Sequence, residues 1–137
     1  MFELPQTLTI QVVSIPRRVN GGGTVANNGV RATFGFTAEA GKTGSLSYVE
    51  HRPDAAVRLK STTIETVWVV GNTATIIGRA TVTGTDGYTF RLTAVDNGEP
   101  GRDDLYGLEV LDPDGNIVGD LTYTPVVLTG GNVQIHK

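Results

Sequence analysis

Val30-Arg31-Ala32-Thr33-Phe34-Gly35-Phe36-Thr37 alternates apolar with polar or small residues at every step. A period of two sends Val30, Ala32, Phe34 and Phe36 to one face and leaves Arg31, Thr33, Gly35 and Thr37 on the other, the pattern of a half-buried strand. The same grammar runs in both directions from it. Downstream, Gly41-Lys42-Thr43-Gly44 reads as a turn into Leu46 and Tyr48, and Pro53-Asp54 as a break before Val57 and Leu59. Over 62–70, Ile64, Trp68 and Val70 fall on one face and Val67 and Val69 on the other, so this strand is expected to be covered on both sides, with Trp68 in the core. Gly71-Asn72 and Asp86-Gly87 are hairpin signals that open the alternating runs Ala74–Val82 and Tyr88–Ala94. After the polar loop Asp96–Asp104 come strands over Leu105–Leu111, Ile117–Tyr123 and Val133–Ile135. Upstream, Asn20-Gly21-Gly22-Gly23 reads as a glycine-rich hinge. Thr7–Ile15, bracketed by Pro5 and Pro16, reads as a leading strand with Leu8, Ile10 and Val12 on one face and Thr7, Thr9 and Gln11 on the other.

About ten short strands with turn signals every 8 to 12 residues predict an all-β, antiparallel β-sandwich, Greek-key or jelly-roll-like, of two packed sheets. A closed barrel is the alternative that the same pattern supports. Residues 1–19 are expected to form an arm, and 20–137 one domain.

Composition bounds the chemistry. A chain of 137 residues, 39% hydrophobic and 18% charged, is long enough for one self-supporting core. With no Cys, a disulfide framework, a Cys-ligated zinc site, an iron–sulfur cluster and a thiol nucleophile are all excluded. A net charge of −3 with scattered Lys and Arg offers no basic footprint for nucleic acid. No run of 18 apolar residues predicts a membrane span, and Met1-Phe2-Glu3-Leu4-Pro5 lacks the basic and apolar regions of a signal peptide.

No catalytic constellation emerges. Gly41-Lys42-Thr43 has the end of a phosphate-binding loop, but five residues rather than four separate Gly35 from Gly41 and no helical pattern follows. His51 and His136 stand apart from each other and from any nucleophile elbow, and read as solvated loop residues. Asp96, Asn97, Glu99, Asp103 and Asp104 crowd oxygen-bearing side chains around the turn Gly98-Glu99-Pro100-Gly101, and hard oxygen ligands on a loop suit Ca²⁺. The same residues are also turn formers that bond nearby backbone amides, and Arg102 offers a counter-charge, so a hydrogen-bonded loop is the competing reading. Asp112-x-Asp114-x-Asn116 begins like a helix-loop-helix calcium loop but departs from it at Ile117 and Tyr123, which favours a tight turn.

Several segments, in order, resemble the post-COAP family of accessory β-domains found in bacterial secreted and surface proteins. They are Gly21–Val25, Arg31–Phe36, Arg58–Thr63, Gly78–Gly84, Gly87–Phe90, Leu92–Asp96 with Gly98-Glu99-Pro100-Gly101, and the closing Gly130-Gly131-Asn132-Val133-Gln134-Ile135-His136-Lys137. The resemblance spans residues 20–137 and implies an accessory module in an extracellular or cell-surface setting, with no catalytic residues to carry over. The expectation is therefore a non-catalytic structural or assembly module of a cell or particle surface, virion surfaces included, whose leading strand, through Leu8, Ile10 and Val12, either folds back onto its own sheet, as sequential strands usually do, or adds to the open edge of a neighbouring copy in a homo-oligomer. A Ca²⁺-dependent ligand- or carbohydrate-binding module is the second reading, and a hydrolase the third.

Overall fold

The computed structural model describes residues 18–39, 44–98 and 103–136. Nine strands follow: β1 (Arg18–Asn27), β2 (Val30–Ala38), β3 (Ser45–Glu50), β4 (Val57–Val70), β5 (Thr73–Val82), β6 (Thr85–Val95), β7 (Leu105–Leu111), β8 (Tyr123–Val127) and β9 (Gly130–His136). A 3₁₀ turn, Gly119–Leu121, precedes β8 and buries Leu121. Among the described residues no helix is long and apolar enough to cross a membrane.

Every pairing is antiparallel, and the nine strands form one sheet in the order β8-β7-β6-β5-β4-β3-β2-β1-β9. The all-β antiparallel expectation holds. The two-sheet sandwich with Greek-key crossovers is replaced by a meander from β1 to β8, with β9 returning to pair β1. Alternation tells each strand which face is dry, but it does not say whether the dry faces of two sheets meet or one sheet curls onto itself. Here one sheet curls. The rings of Phe34 on β2 and Tyr106 on β7 stack with centroids 4.1 Å apart, although five strand spacings of about 4.8 Å each separate those strands along the sheet. The result is a half-barrel whose interior holds Phe34, Phe36, Tyr48, Leu59, Ile76, Phe90, Leu92, Tyr106 and Leu108.

Three local expectations change. The glycines of Asn20–Gly23 are not a hinge but the middle of β1, flanked by β2 and β9. A Cβ on Gly23 would run into the backbone of Gly130, and one on Gly131, at φ 89°, into that of Gly22, so glycine lets these two backbones approach. The runs 57–59 and 62–70 join into the single long strand β4, which carries register shifts between Ser61 and Thr63 and between Ile64 and Thr66. The second shift inserts Glu65 as an extra residue, so that Ile64 and Val67 both pack on the core. Val69 is then buried, while Trp68 turns outward and is 38% exposed. Finally, Ile117 makes only an isolated bridge to Leu111, and the strand expected over Ile117–Tyr123 begins instead at Tyr123. The leading strand with Leu8, Ile10 and Val12, and the turn at Gly41-Lys42-Thr43, lie outside the described residues.

Candidate functional site

Curling a sheet leaves two edges that must be reconciled, and polar side chains gather where they meet. Asp96 ends β6 and Asp104 precedes β7, so both sit at the mouth of the loop between these strands, facing β9. Asp104 is fully buried. Its Oδ1 accepts the Asn97 N–H at 2.7 Å and its Oδ2 accepts the Val133 N–H at 2.7 Å. Asp96 repeats the device: Oδ1 accepts the Gly98 N–H at 3.0 Å and Oδ2 the Ile135 N–H at 3.1 Å. Two carboxylates thus supply β9 with the acceptors that a neighbouring strand would have given through its carbonyls. The Leu128 N–H closes the same seam by donating to the Asp104 carbonyl at 3.0 Å.

Of the five calcium-loop candidates, the structure brings Asp96, Asn97 and Asp104 together and leaves Asp103 exposed, contributing its carbonyl to Asn97 Nδ2 at 2.7 Å. Asn97 Oδ1 accepts Asn72 Nδ2 at 2.7 Å. Glu99 and Arg102 lie outside the described residues. Among the described residues no three His, Asp or Glu side chains converge on one point. Since each Asp96 and Asp104 oxygen already accepts a backbone N–H, thermal melts in millimolar Ca²⁺ and in EDTA are expected to coincide. A midpoint that rises with Ca²⁺ would show instead that the folded loop takes an ion.

Asp112 Oδ1 accepts the N–H groups of Asp114 at 2.9 Å and Asn116 at 3.0 Å, so the calcium-like spacing there builds a turn. His51 is exposed, with Nε2 3.1 Å from Thr33 Oγ1. His136 is not a solvated loop residue: it lies half-buried on β9 with Nε2 2.8 Å from Asn20 Oδ1.

At the opposite end of the half-barrel is a cluster that motif reading missed. Glu50, 1% exposed, closes β3. Its Oε2 accepts Asn27 Nδ2 at 2.7 Å and the Tyr48 hydroxyl at 2.8 Å. Its Oε1 accepts Arg52 Nε at 2.9 Å and Nη2 at 2.7 Å. Asn27 Nδ2 and Arg52 Nη2 also reach the Asp120 carbonyl, at 2.9 and 3.3 Å, tying β1 and β3 to the 3₁₀ turn. Together with Asn28 and Val30 these residues line an open depression of about 260 Å³. The signal for Glu50 is present in the alternation: Leu46 and Tyr48 point inward on β3, and Glu50 is the next residue on that face.

Behind Glu50 stands a tyrosine cluster. Tyr123 donates its hydroxyl to that of Tyr48 at 3.1 Å, and Tyr48 and Tyr106 stack with centroids 6.1 Å apart. Burial, reinforced by the charge of neighbouring phenols, pushes Tyr48 and Tyr106 far above the ordinary phenol range. Burial also pushes Tyr123 up, against the lowering effect of its bond to Tyr48. Phenols that stay protonated in the fold but ionise near pH 10 in the unfolded chain leave stability intact below that pH. Above it, each withdraws about 1.4 kcal/mol per pH unit until its folded-state value is reached. Alkaline titration is therefore expected to unfold the protein cooperatively above about pH 11, with tyrosinate absorbance rising as the β signal falls. Ionisation of three phenols while the β signal stays intact would contradict the buried cluster.

Both ends of the half-barrel are thus held by carboxylates that accept a hydrogen bond on each oxygen. Among the described residues these carboxylates join segments distant in the chain. No family model matches the chain, and no curated protein or solved structure matches it either.

Proposed function

We propose that the protein is a non-catalytic structural module of an extracellular or particle surface that associates with further copies of itself. The observation that carries this reading is the outer face of the β4–β5 hairpin, where Trp68 is 38% and Val70 52% exposed. Both side chains stand on residues paired with β5, while the carboxylates of Asp96, Asp104 and Glu50 accept hydrogen bonds from within the fold. An aromatic side chain beside an exposed valine on a paired strand is the kind of anchor that protein interfaces use. The resemblance to post-COAP accessory domains points to the same setting.

Sedimentation velocity from micromolar to millimolar protein tests the reading. The full chain is expected to associate with rising concentration, and Trp68→Thr/Val70→Thr to weaken that association at least about tenfold, the loss of about 1.4 kcal/mol or more of contact. A wild-type chain that stays monomeric throughout this range would remove self-association from the account.

A further inference from the structure

Tyr106 lies in the core of the half-barrel and is 0% exposed. Its ring stacks on Phe34 and has Tyr48, Phe36 and Tyr123 around it, with centroids 6.1, 6.4 and 6.5 Å away. These contacts account for the ring but not for its hydroxyl. Among the described residues, Tyr106 Oη is the buried side-chain polar atom that has no hydrogen-bond partner. A hydroxyl taken out of water without a partner is penalised, and phenylalanine would keep the ring contacts free of that penalty. A tyrosine at this position therefore calls for a partner.

The neighbouring phenols define what that partner must do. Tyr48 donates to Glu50 Oε2 at 2.8 Å, and Tyr123 donates to Tyr48 at 3.1 Å. An ionised carboxylate only accepts, so both O–H groups point the same way, towards Glu50. Tyr123 at the head of this chain has spent its proton and keeps lone pairs to accept with, whereas Tyr106 has a proton to give. The two hydroxyls are not bonded to each other, yet the charge of Tyr123 adds to burial in holding the Tyr106 proton in place, which puts them in one another's field. A molecule that fits between them accepts from Tyr106 and donates to Tyr123. Water is small and neutral, and does both. An anion would meet the Glu50 charge at the end of the same chain.

We propose that the half-barrel core binds one internal water molecule, which accepts the O–H of Tyr106 and donates to the hydroxyl of Tyr123. The groups then form one directed series, from Tyr106 through the water to Tyr123, Tyr48 and Glu50. It joins β7, β8 and β3 inside the sheet. The site stands apart from self-association, because Trp68 and Val70 face outward.

Two measurements on the full chain test it. A crystal structure that resolves ordered water should place one within hydrogen-bond distance of both Tyr106 Oη and Tyr123 Oη. A direct bond between the two hydroxyls, or another side chain bonded to Tyr106 Oη, would overturn the site. Urea unfolding of Tyr106→Phe, Tyr123→Phe and the double variant gives an independent readout. Tyr106→Phe should raise the unfolding equilibrium constant at least about fivefold. The double variant should raise it at least about threefold less than the product of the two single effects, because either substitution already breaks the bridge. A Tyr106→Phe variant as stable as wild type or more so, or single effects that simply multiply, would reject the bridge.

Discussion

Asp104→Ala is expected to lower the stability of the fold by about 3–5 kcal/mol, a large share of the roughly 5–15 kcal/mol that holds a domain together. The reason is a count of orphaned donors. Asp104 is fully buried, and its two oxygens satisfy the N–H groups of Asn97 and Val133, which belong to segments that the Asp96–Ile135 bond also joins nearby. Each buried N–H left without an acceptor costs about 1–3 kcal/mol, and bonds to a charged acceptor lie at the upper end. Asp104→Asn keeps one acceptor but turns an amide N–H towards the other donor, so its cost should fall between wild type and alanine. Urea unfolding gives both numbers, with the midpoint shifting and the slope preserved. Amide exchange adds the location, because Val133 and Leu128 should lose protection ahead of Ile76 and Leu92 in the sheet centre. A loss below about 1 kcal/mol for the alanine variant would mean that β9 is held by its pairing with β1 and by Asp96, with Asp104 adding little.

Glu50→Ala should cost a similar amount, about 3–5 kcal/mol, through a different route. Four donors converge on that carboxylate from Asn27, Tyr48 and Arg52, and only Arg52, at 29% side-chain exposure, can turn to water and to Asp120. Asn27 keeps the Asp120 carbonyl, whereas the Tyr48 hydroxyl loses its acceptor inside the core. Glu50→Gln retains the side-chain shape and one acceptor oxygen, and sets its amide against the arginine. It should fall below the alanine variant in cost and still clear about 1 kcal/mol. Arg52→Ala separates charge from packing: a cost close to that of Glu50→Ala would identify the ion pair as the main loss, and a small one would place it in the Asn27 and Tyr48 bonds. Equal stability of wild type and Glu50→Ala would contradict the network outright.

Much of the fold was legible where a strand alternates cleanly. Val30–Thr37, Ala74–Val82, Tyr88–Ala94 and Leu105–Leu111 all became strands, because an alternating segment has only one face to bury and one to wet. Reading failed where the deciding contact comes from far along the chain. The glycines of Asn20–Gly23 resemble a hinge until Gly130 and Gly131 are laid against them. Trp68 seems to belong with Ile64 until the extra residue at Glu65 reverses the parity between them. A bulge of this kind leaves no mark in the hydrophobic pattern, since it is settled by the fit of β4 to β5.

The acidic loop shows the same division. Its position and its chemistry, carboxylates beside a turn, are written in residues 96–104. Its use depends on Val133 and Ile135, 29 and 39 residues further on from Asp104 and Asp96. Glu50 sits between these cases: period two aims it inward, but its partner Asn27 comes from β1, and Asn27 and Arg52 are in turn held by the Asp120 carbonyl far along the chain. By itself the amino-acid order determined an antiparallel β-protein without thiol chemistry, because strand period, turn residues and the lack of Cys are local properties. Tertiary structure alone decided that one sheet curls rather than two sheets stack, that acidic residues serve as its fasteners, and that Trp68 faces outward. Those outcomes rest on which distant backbone groups lacked partners, a quantity that exists only once the strands have met.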